Sequence, residues 1–140
     1  MSFKHAEVTE AIIKAFYTVY NALGYGFLEK VYANALAIEL RKLGLEVVQE
    51  ARIAVYYEGQ LVGEYSADLL VGGAVIVELK AAKTLLDEHE AQLLNYLKAT
   101  PYEVGLLLNF GPKHEFRRKA FDNARKGLMS WVKGDADQRR

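Results

Sequence analysis

Two acidic residues and a lysine stand close together in an otherwise apolar stretch of the sequence. Glu78 and Lys80 are two residues apart in a run of aliphatic residues, so their side chains share one face of a predicted strand. Asp68 precedes them across Gly72-Gly73, a pair typical of a tight hairpin turn. Because isolated charges are costly to bury, the three side chains are expected to meet. Such a group could bind a hard divalent cation, or it could only form a salt bridge at the end of a strand.

Two predicted helices carry further polar residues at helical spacing. Glu29 and Tyr32 are three residues apart and therefore occupy neighbouring positions on one helix face. His89, Gln92 and Tyr96 follow one another at i, i+3 and i+7 and form a polar stripe. Ordinary surface helices also show a polar stripe beside an apolar one. These residues would gain a functional meaning only if they face the strand that bears the acidic residues.

The composition limits the chemistry that the chain can perform. The 140 residues include no cysteine, which excludes disulfides, thiolate zinc sites, iron–sulfur clusters and cysteine nucleophiles. Lys+Arg and Asp+Glu both number 18, which argues against a protein that coats DNA by bulk charge. The charge is uneven, since residues 1–112 hold 9 basic and 14 acidic residues and residues 113–140 hold 9 and 4. A basic tail beside an acidic body is compatible with nucleic-acid binding or simply with solubility.

Apolar periodicity predicts an α/β architecture in which helices largely cover one sheet. Residues 1–140 are expected to form one domain, with a core over about residues 8–121 and a basic C-terminal helix and tail over 122–140. The predicted helices are 8–23, 28–43, 87–98 and 122–132, and the predicted strands are 46–57, 61–71, 74–81, 103–110 and 115–121. The stripe that the second helix is expected to bury comprises Leu28, Val31, Ala35 and Ile38.

Taken in order, these motifs resemble a known family. The run Gly26-x-x-Glu29-x-x-Tyr32, the Asp68 strand, Val77-Glu78-Leu79-Lys80 and the third helix are similar to the bacterial GxxExxY proteins, which resemble the PD-(D/E)XK nuclease superfamily. The pair Gln92-x-x-x-Tyr96 resembles the motif of the RecB-like branch of that superfamily. The resemblance implies a restriction-endonuclease-like αβββαβ core with a mixed sheet flanked by helices.

The resemblance also implies roles for individual residues. Asp68 and Glu78 would be ligands of Mg²⁺ or Mn²⁺, joined by the Leu79 backbone carbonyl and the additional carboxylate of Glu29. Lys80 would position or polarise the attacking water. Gln92 and Tyr96 would steady the site or its substrate, which completes the candidate catalytic set. The candidate substrate-binding residues are Tyr32, Lys83 and His89.

We therefore expect a Mg²⁺-dependent, nuclease-like protein that hydrolyses phosphodiester bonds in DNA. One alternative is a non-catalytic nucleic-acid-binding or regulatory module that keeps the fold. Another is a structural protein in which the Glu78–Lys80 pair only closes a strand. The longest uncharged apolar run, residues 69–77, is too short to span a membrane, so a cytoplasmic location is expected, and a homodimer is plausible. Residues expected to attract phosphate are Lys83, Lys98, Arg117, Arg118 and Lys119.

Overall fold

A five-stranded sheet with helices on both faces forms the part of the chain that the computed structural model describes, residues 4–127. The elements are α1 (Ala6–Leu23), α2 (Glu29–Lys42), β1 (Val47–Tyr57), β2 (Gln60–Val71), β3 (Val75–Lys80), α3 (Asp87–Ala99), β4 (Val104–Phe110) and β5 (His114–Ala120). Every long helix predicted within this range is present, as are all five predicted strands. No helix among these residues is both long and apolar enough to cross a membrane.

The strands lie in the order in which they occur in the sequence, β1-β2-β3-β4-β5. All neighbouring pairs are antiparallel except β3 and β4, which are parallel. A parallel pair needs a crossover connection, and α3 provides it. Gly72 and Gly73 close the β2–β3 hairpin with φ of 62° and 63°, a left-handed conformation that glycine adopts at no steric cost. The prediction of a mixed α/β sheet is confirmed.

Each face of the sheet packs against its own helices. Val75, Val77 and Leu79 of β3 belong to the cluster formed with α1 and α2. Ile76 belongs to the cluster formed with α3. Side chains alternate along a strand, so Glu78 lies on the same face as Ile76, beneath α3. Since both faces are covered, β3 and β4 can be apolar almost throughout, as the sequence indicates.

Helix α2 buries a different face from the one predicted. Leu28 is 81% exposed and Ile38 is 58% exposed, so the predicted stripe does not face the sheet. The buried face instead carries Tyr32, Leu36 and Leu40. The ring of Tyr32 stacks on Phe110 of β4, with centroids 4.3 Å apart and an angle of 17° between the planes. This long-range contact fixes the rotation of the helix about its axis.

The C-terminal helix predicted over 122–132 is wrong for its described part. Residues Asn123–Arg125 form a single 3-10 turn, and residues 128–132 lie outside the described range. The segment is held by the buried side chain of Lys126, whose Nζ donates to the carbonyl oxygens of Thr100 (2.7 Å) and Tyr102 (2.8 Å). Hydrogen bonds to these carbonyls hold the turn against the end of α3.

We predict that Gly105→Ala destabilises the fold by crowding α3. A Cβ atom at Gly105 would lie 2.7 Å from Cδ1 of Leu93, and overpacking of this kind costs about 1–3 kcal/mol. Leu93→Ala alone should cost about 2–5 kcal/mol, because it leaves a cavity. The double variant should cost less than the sum of both, since the new methyl group enters the vacated space. Urea unfolding of the four proteins measures this, and strictly additive free energies would contradict the packing.

Candidate active site

Asp68 lies where the regular pairing of β2 is interrupted on both sides. The last pair in the ladder of β2 with β3 is Leu69 with Val77, adjacent to Asp68. On the β1 side the opposing residue is Glu50, whose φ of 52° is uncommon for a residue other than glycine. The strand also changes face at this point, since Leu69 packs with α1 and α2 whereas Ala67 packs with α3. Asp68 therefore stands at the junction of the two layers.

A reciprocal pair of hydrogen bonds joins β2 and β3 beyond the end of their ladder. The backbone N–H of Asp68 donates to Oε1 of Glu78 at 2.9 Å. In return, the backbone N–H of Leu79 donates to Oδ2 of Asp68 at 2.7 Å. Two carboxylates thus replace the backbone carbonyls that would normally accept these bonds. This arrangement holds the carboxyl groups of Asp68 and Glu78 between β2 and β3, just beyond the end of their ladder. We call this place the fork.

The charged forms of both carboxyl groups are disfavoured in this position. Burial raises the pKa of Glu78 to about 7, the charge of Asp68 adds to the shift, and the hydrogen bond from Asp68 N–H opposes it. Glu78 is only 6% exposed. Burial also raises the pKa of Asp68, against the hydrogen bond from Leu79, while the charge of Glu29 raises it further. The fork is therefore a place where extra positive charge would be stabilising.

Lys80 supplies part of that positive charge. It follows Glu78 by two residues on β3, on the face that packs toward α3. Its ammonium group lowers the pKa values of both Asp68 and Glu78. Among the described residues it forms no ion pair within 4.0 Å, so it acts on the acids at longer range. The sequence predicts that Asp68, Glu78 and Lys80 meet on one side of the hairpin, and the effect of the Lys80 charge on both acids agrees with this.

Two further carboxylates border the fork. Glu29 begins α2, where a negative charge interacts favourably with the helix dipole, and its Oε2 accepts a hydrogen bond from Ala81 N–H at 3.3 Å. Glu50 raises the pKa of Asp68 and pairs with Lys30 at 2.7 Å. The sequence did not single out Glu50, because nothing in its local pattern indicates a left-handed backbone opposite Asp68.

The fork offers a limited set of oxygen ligands for a cation. Within residues 4–127, no three His, Asp or Glu side chains are gathered closely enough to hold a metal ion by themselves. The structure therefore does not bring Glu29 into one ligand set with Asp68 and Glu78. Oδ1 of Asp68 and Oε2 of Glu78 have no hydrogen-bond donor in the same described part. Two free carboxylate oxygens fit Mg²⁺, which usually takes one or two protein carboxylates and completes its shell with waters.

Helix α3 faces the fork through Tyr96, one of the residues predicted there. Tyr96 is buried, and burial together with the charges of Glu78 and Asp68 raises its pKa to about 12. Gln92 is one helical turn earlier and lines the same groove as Tyr96. At Tyr96 this stripe lies close enough to Glu78 and Asp68 for their charges to act on the hydroxyl, whereas the position of Gln92 relative to the acidic residues stays a prediction.

Tyr32 is not available to a substrate, which corrects its predicted role. The side chain is fully buried, its hydroxyl donates to the Gly24 carbonyl at 2.7 Å, and it accepts a bond from Phe27 N–H at 3.2 Å. Tyr32 thus fixes the loop between α1 and α2. His89 caps α3 through Nδ1, which accepts a hydrogen bond from Leu86 N–H at 3.1 Å. Lys83 is exposed in the loop that follows β3.

A buried asparagine that the sequence did not single out positions this loop. The amide of Asn109 accepts a bond from Ala82 N–H at 3.0 Å and donates to the Ala82 carbonyl at 2.9 Å and to the Lys113 carbonyl at 2.9 Å. A Cβ atom at Gly111 would collide with the same Ala82 carbonyl. Asn109 is opposite Lys80 in the parallel pair β3–β4. It therefore fixes the chain directly after the catalytic candidates.

Several basic residues expected to attract phosphate have acidic partners. Lys119 pairs with Glu90 of α3 at 2.6 Å, and Arg117 pairs with Glu115 at 3.2 Å. Arg118 donates to the Lys4 carbonyl at 2.9 Å, toward the start of α1. These contacts hold β5 against its neighbours. They leave less positive charge around the fork than the sequence predicts.

We predict that Glu78→Gln stabilises the metal-free protein at high pH. The folded-state pKa of Glu78, about 7, lies above its ordinary value of 4.5, so folding favours the protonated form and stability falls as pH rises through this window. Glutamine keeps the acceptor for Asp68 N–H but carries no charge. The advantage should be on the order of 2–3 kcal/mol at about pH 8 and vanish near about pH 4. Urea unfolding in EDTA measures it, with Glu39→Gln on α2 as the control, and an advantage independent of pH would contradict the cause given.

The chain is similar to three solved structures of low sequence identity. An alkaline exonuclease from Laribacter hongkongensis (LHK-Exo) has a TM-score of 0.50 at 13% identity, over 99% of this chain and 84% of that one. SSO0001 has a TM-score of 0.48 at 17% identity, and this chain spans 60% of its length while 79% of this chain is covered. Hjc, a Holliday junction resolvase from Archaeoglobus fulgidus, has a TM-score of 0.40 at 18% identity, over 74% of this chain and 97% of that one.

The exonuclease likeness supports a restriction-endonuclease-like fold, with a mixed sheet flanked by helices. No curated protein matches the chain significantly. The family model of the PD-(D/E)XK nuclease superfamily, however, matches residues 6–119, which include α1 to β4 and nearly all of β5. The matched range holds the whole fork with Asp68, Glu78 and Lys80. The chain belongs to the PD-(D/E)XK nuclease superfamily.

Proposed function

We propose that the protein is a Mg²⁺-dependent nuclease that hydrolyses phosphodiester bonds in DNA, with Asp68, Glu78 and Lys80 at the centre of its active site. The observation that carries this proposal is the fork itself, where the buried carboxyl group of Glu78 and the half-buried one of Asp68 have raised pKa values and interact with the Lys80 ammonium. Such perturbed groups cluster at functional sites. Membership of the nuclease superfamily supports the same reading.

Asp68 and Glu78 would hold the cation through the oxygens that the backbone leaves free. The Leu79 carbonyl is a further candidate ligand, because the carbonyl and N–H of a strand residue point to the same neighbour and this N–H points to Asp68. When bound, Mg²⁺ supplies positive charge that neutralises the phosphate in the transition state. Mn²⁺ prefers the same oxygen ligands and should substitute for it.

Lys80 would orient the attacking water and stabilise the negative charge that develops on its oxygen. An ammonium group has three hydrogen-bond donors and no acceptor. It therefore binds a water molecule by donating to the water oxygen. Glu29 would act through a water rather than as a direct ligand, since among the described residues its carboxylate does not join Asp68 and Glu78 in one ligand set. The burial of the fork strengthens each of these electrostatic effects.

Residues around the fork would bind the substrate strand. The high pKa of Tyr96, about 12, keeps its hydroxyl protonated, so it can donate a hydrogen bond to a phosphate oxygen or to a carboxylate at the site. Gln92 can donate from its amide to the same region. Lys83 lies exposed on the loop after β3, and its charge suits a phosphate contact. His89 retains Nε2 for a contact with the substrate while Nδ1 caps α3.

A finer assignment also forms part of the proposal. It assigns the chain to the GxxExxY proteins and to the RecB-like branch, and the spacing of Glu29 and Tyr32 and of Gln92 and Tyr96 supports it. A cytoplasmic location and a homodimer stay predictions. The second candidate function is a non-catalytic nucleic-acid-binding module. It is favoured by the two backbone hydrogen bonds to Asp68 and Glu78, which hold these carboxylates without any cation.

We predict that Mg²⁺ binds to the wild-type protein and stabilises it, and that both effects are lost in Asp68→Asn/Glu78→Gln. The amides keep the size of the side chains but remove the negative charges that attract the cation. Calorimetric titration measures binding, and thermal unfolding with and without Mg²⁺ measures stabilisation. Glu39→Gln is the matched control and should behave as wild type. Equal binding by wild type and the double variant would refute the metal site.

We predict that Lys80→Ala lowers the rate of DNA cleavage by at least about 100-fold while Mg²⁺ binding persists, because the variant loses the group that orients the water. Lys42→Ala, an exposed lysine at the end of α2, is the control and should cleave at the wild-type rate. Cleavage of a labelled oligonucleotide is the measurement. DNA binding without cleavage in wild type as well as in Lys80→Ala would favour the non-catalytic module.

A further inference from the structure

A groove of about 600 Å³ runs between the β1–β2 hairpin and α3. It lies next to the candidate active site at Tyr96, which lines the groove and is close enough to Glu78 for the charge of that residue to act on its hydroxyl. The hairpin side is formed by Val55, Val62, Gly63 and Tyr65. This part of the hairpin extends beyond the end of the β2–β3 ladder, and its residues Ile53 and Val55 pack in the cluster formed with α3.

Tyr65 presents an aromatic surface in this groove. Its side chain is 53% exposed although it lies beside buried Tyr96, with ring centroids 5.8 Å apart and planes tilted by 42°. Gly63, two residues earlier on the same face, has no side chain over the ring, and a Cβ atom there would lie 3.3 Å from Cε2 of Tyr65. The missing side chain therefore leaves the ring open to a flat ligand.

Polar groups on α3 form the rest of the groove. Asn95 and Lys98 line it, and Glu88 lies near the start of the helix. Lys98 is half-buried, with its Nζ 5.4 Å from the centroid of the Phe121 ring, which limits where the ammonium can move. One ammonium and the two amides of Gln92 and Asn95 beside an aromatic surface match the parts of a nucleotide, namely a phosphate, a base edge and a base face.

We propose that this groove binds an unpaired nucleotide of the substrate, with the base stacked on Tyr65 and a phosphate near Lys98. The inference rests on the proposed function, and it names the substrate class as single-stranded DNA or a strand with an unpaired end. Bases within a duplex are stacked on one another and leave no face for Tyr65. A sequence-tolerant stacking surface also agrees with the absence of a base-reading helix among the described elements.

The test measures binding in EDTA, so that it does not depend on cleavage. Labelled oligo(dT) of about 12 nucleotides, long enough for one ordinary single-strand site, is compared with a blunt duplex by fluorescence anisotropy. Wild type should prefer the single strand. Tyr65→Ala should weaken single-strand binding by at least about fivefold, with no change for the duplex, and Tyr65→Phe should bind within about twofold of wild type because phenylalanine keeps the stacking face.

Two more variants separate stacking from general effects of mutation. Tyr57→Ala removes another tyrosine of the same hairpin, 66% exposed and outside the groove, and should bind as wild type. Gly63→Val keeps Tyr65 but covers its ring, and should weaken single-strand binding as Tyr65→Ala does. An oligonucleotide containing 2-aminopurine should show quenched fluorescence with wild type, Tyr65→Phe and Tyr57→Ala but not with Tyr65→Ala or Gly63→Val, since stacking is the cause of quenching.

The outcomes distinguish this inference from the proposed function. Equal loss in Tyr65→Ala and Tyr57→Ala, equal effects on single strand and duplex, or no single-strand binding by wild type would overturn the nucleotide site. If the protein binds the single strand through Tyr65 but does not cleave it in Mg²⁺, the site stands and the nuclease function fails. If Mg²⁺-dependent cleavage is normal in Tyr65→Ala and single strands are not preferred, the nuclease function stands and the site fails.

Discussion

The pair of hydrogen bonds between Asp68 and Glu78 and the opposing backbones is the interaction on which the rest of the site depends. Where the β2–β3 ladder stops, each carboxylate accepts an N–H from the other strand and so continues the junction by side chains. The same two bonds close the sheet and orient the acids. The carboxyl groups of the candidate site therefore also stabilise the sheet. Their positions follow from strand register rather than from a mobile loop.

Holding Asp68 and Glu78 so close together is electrostatically unfavourable, and the surrounding fold offsets this. Charges buried in the fork repel each other, and burial raises the pKa values of Asp68 and Glu78. Apolar packing on both faces of β3 and β4 stabilises the sheet enough to tolerate such a pair. Lys80 relieves part of the repulsion, and a divalent cation would relieve more. Without a cation, the two acids therefore lower the free energy of unfolding of the protein. Functional sites commonly reduce stability in this way.

Much of this could be predicted from the sequence, and the exceptions share a cause. The period of two along β3 and the Gly72-Gly73 turn suffice to bring Glu78 toward Asp68. The face of α2 was predicted wrongly because it depends on Tyr32 stacking against Phe110, which is distant in the sequence. The roles of Glu50 and Asn109 also arise from residues across the sheet. Local patterns predict elements, whereas rotations, bulges and clamps depend on tertiary neighbours.

The central claim is that Asp68 and Glu78 form one cation site in the fork. Carboxyl ¹³C NMR of the labelled protein, titrated with pH in EDTA and then in Mg²⁺, tests it most directly. Glu78 should titrate near pH 7 without the metal and at clearly lower pH with it, because the cation favours the charged form. A Glu78 midpoint near its ordinary value of 4.5 in both conditions would contradict the account.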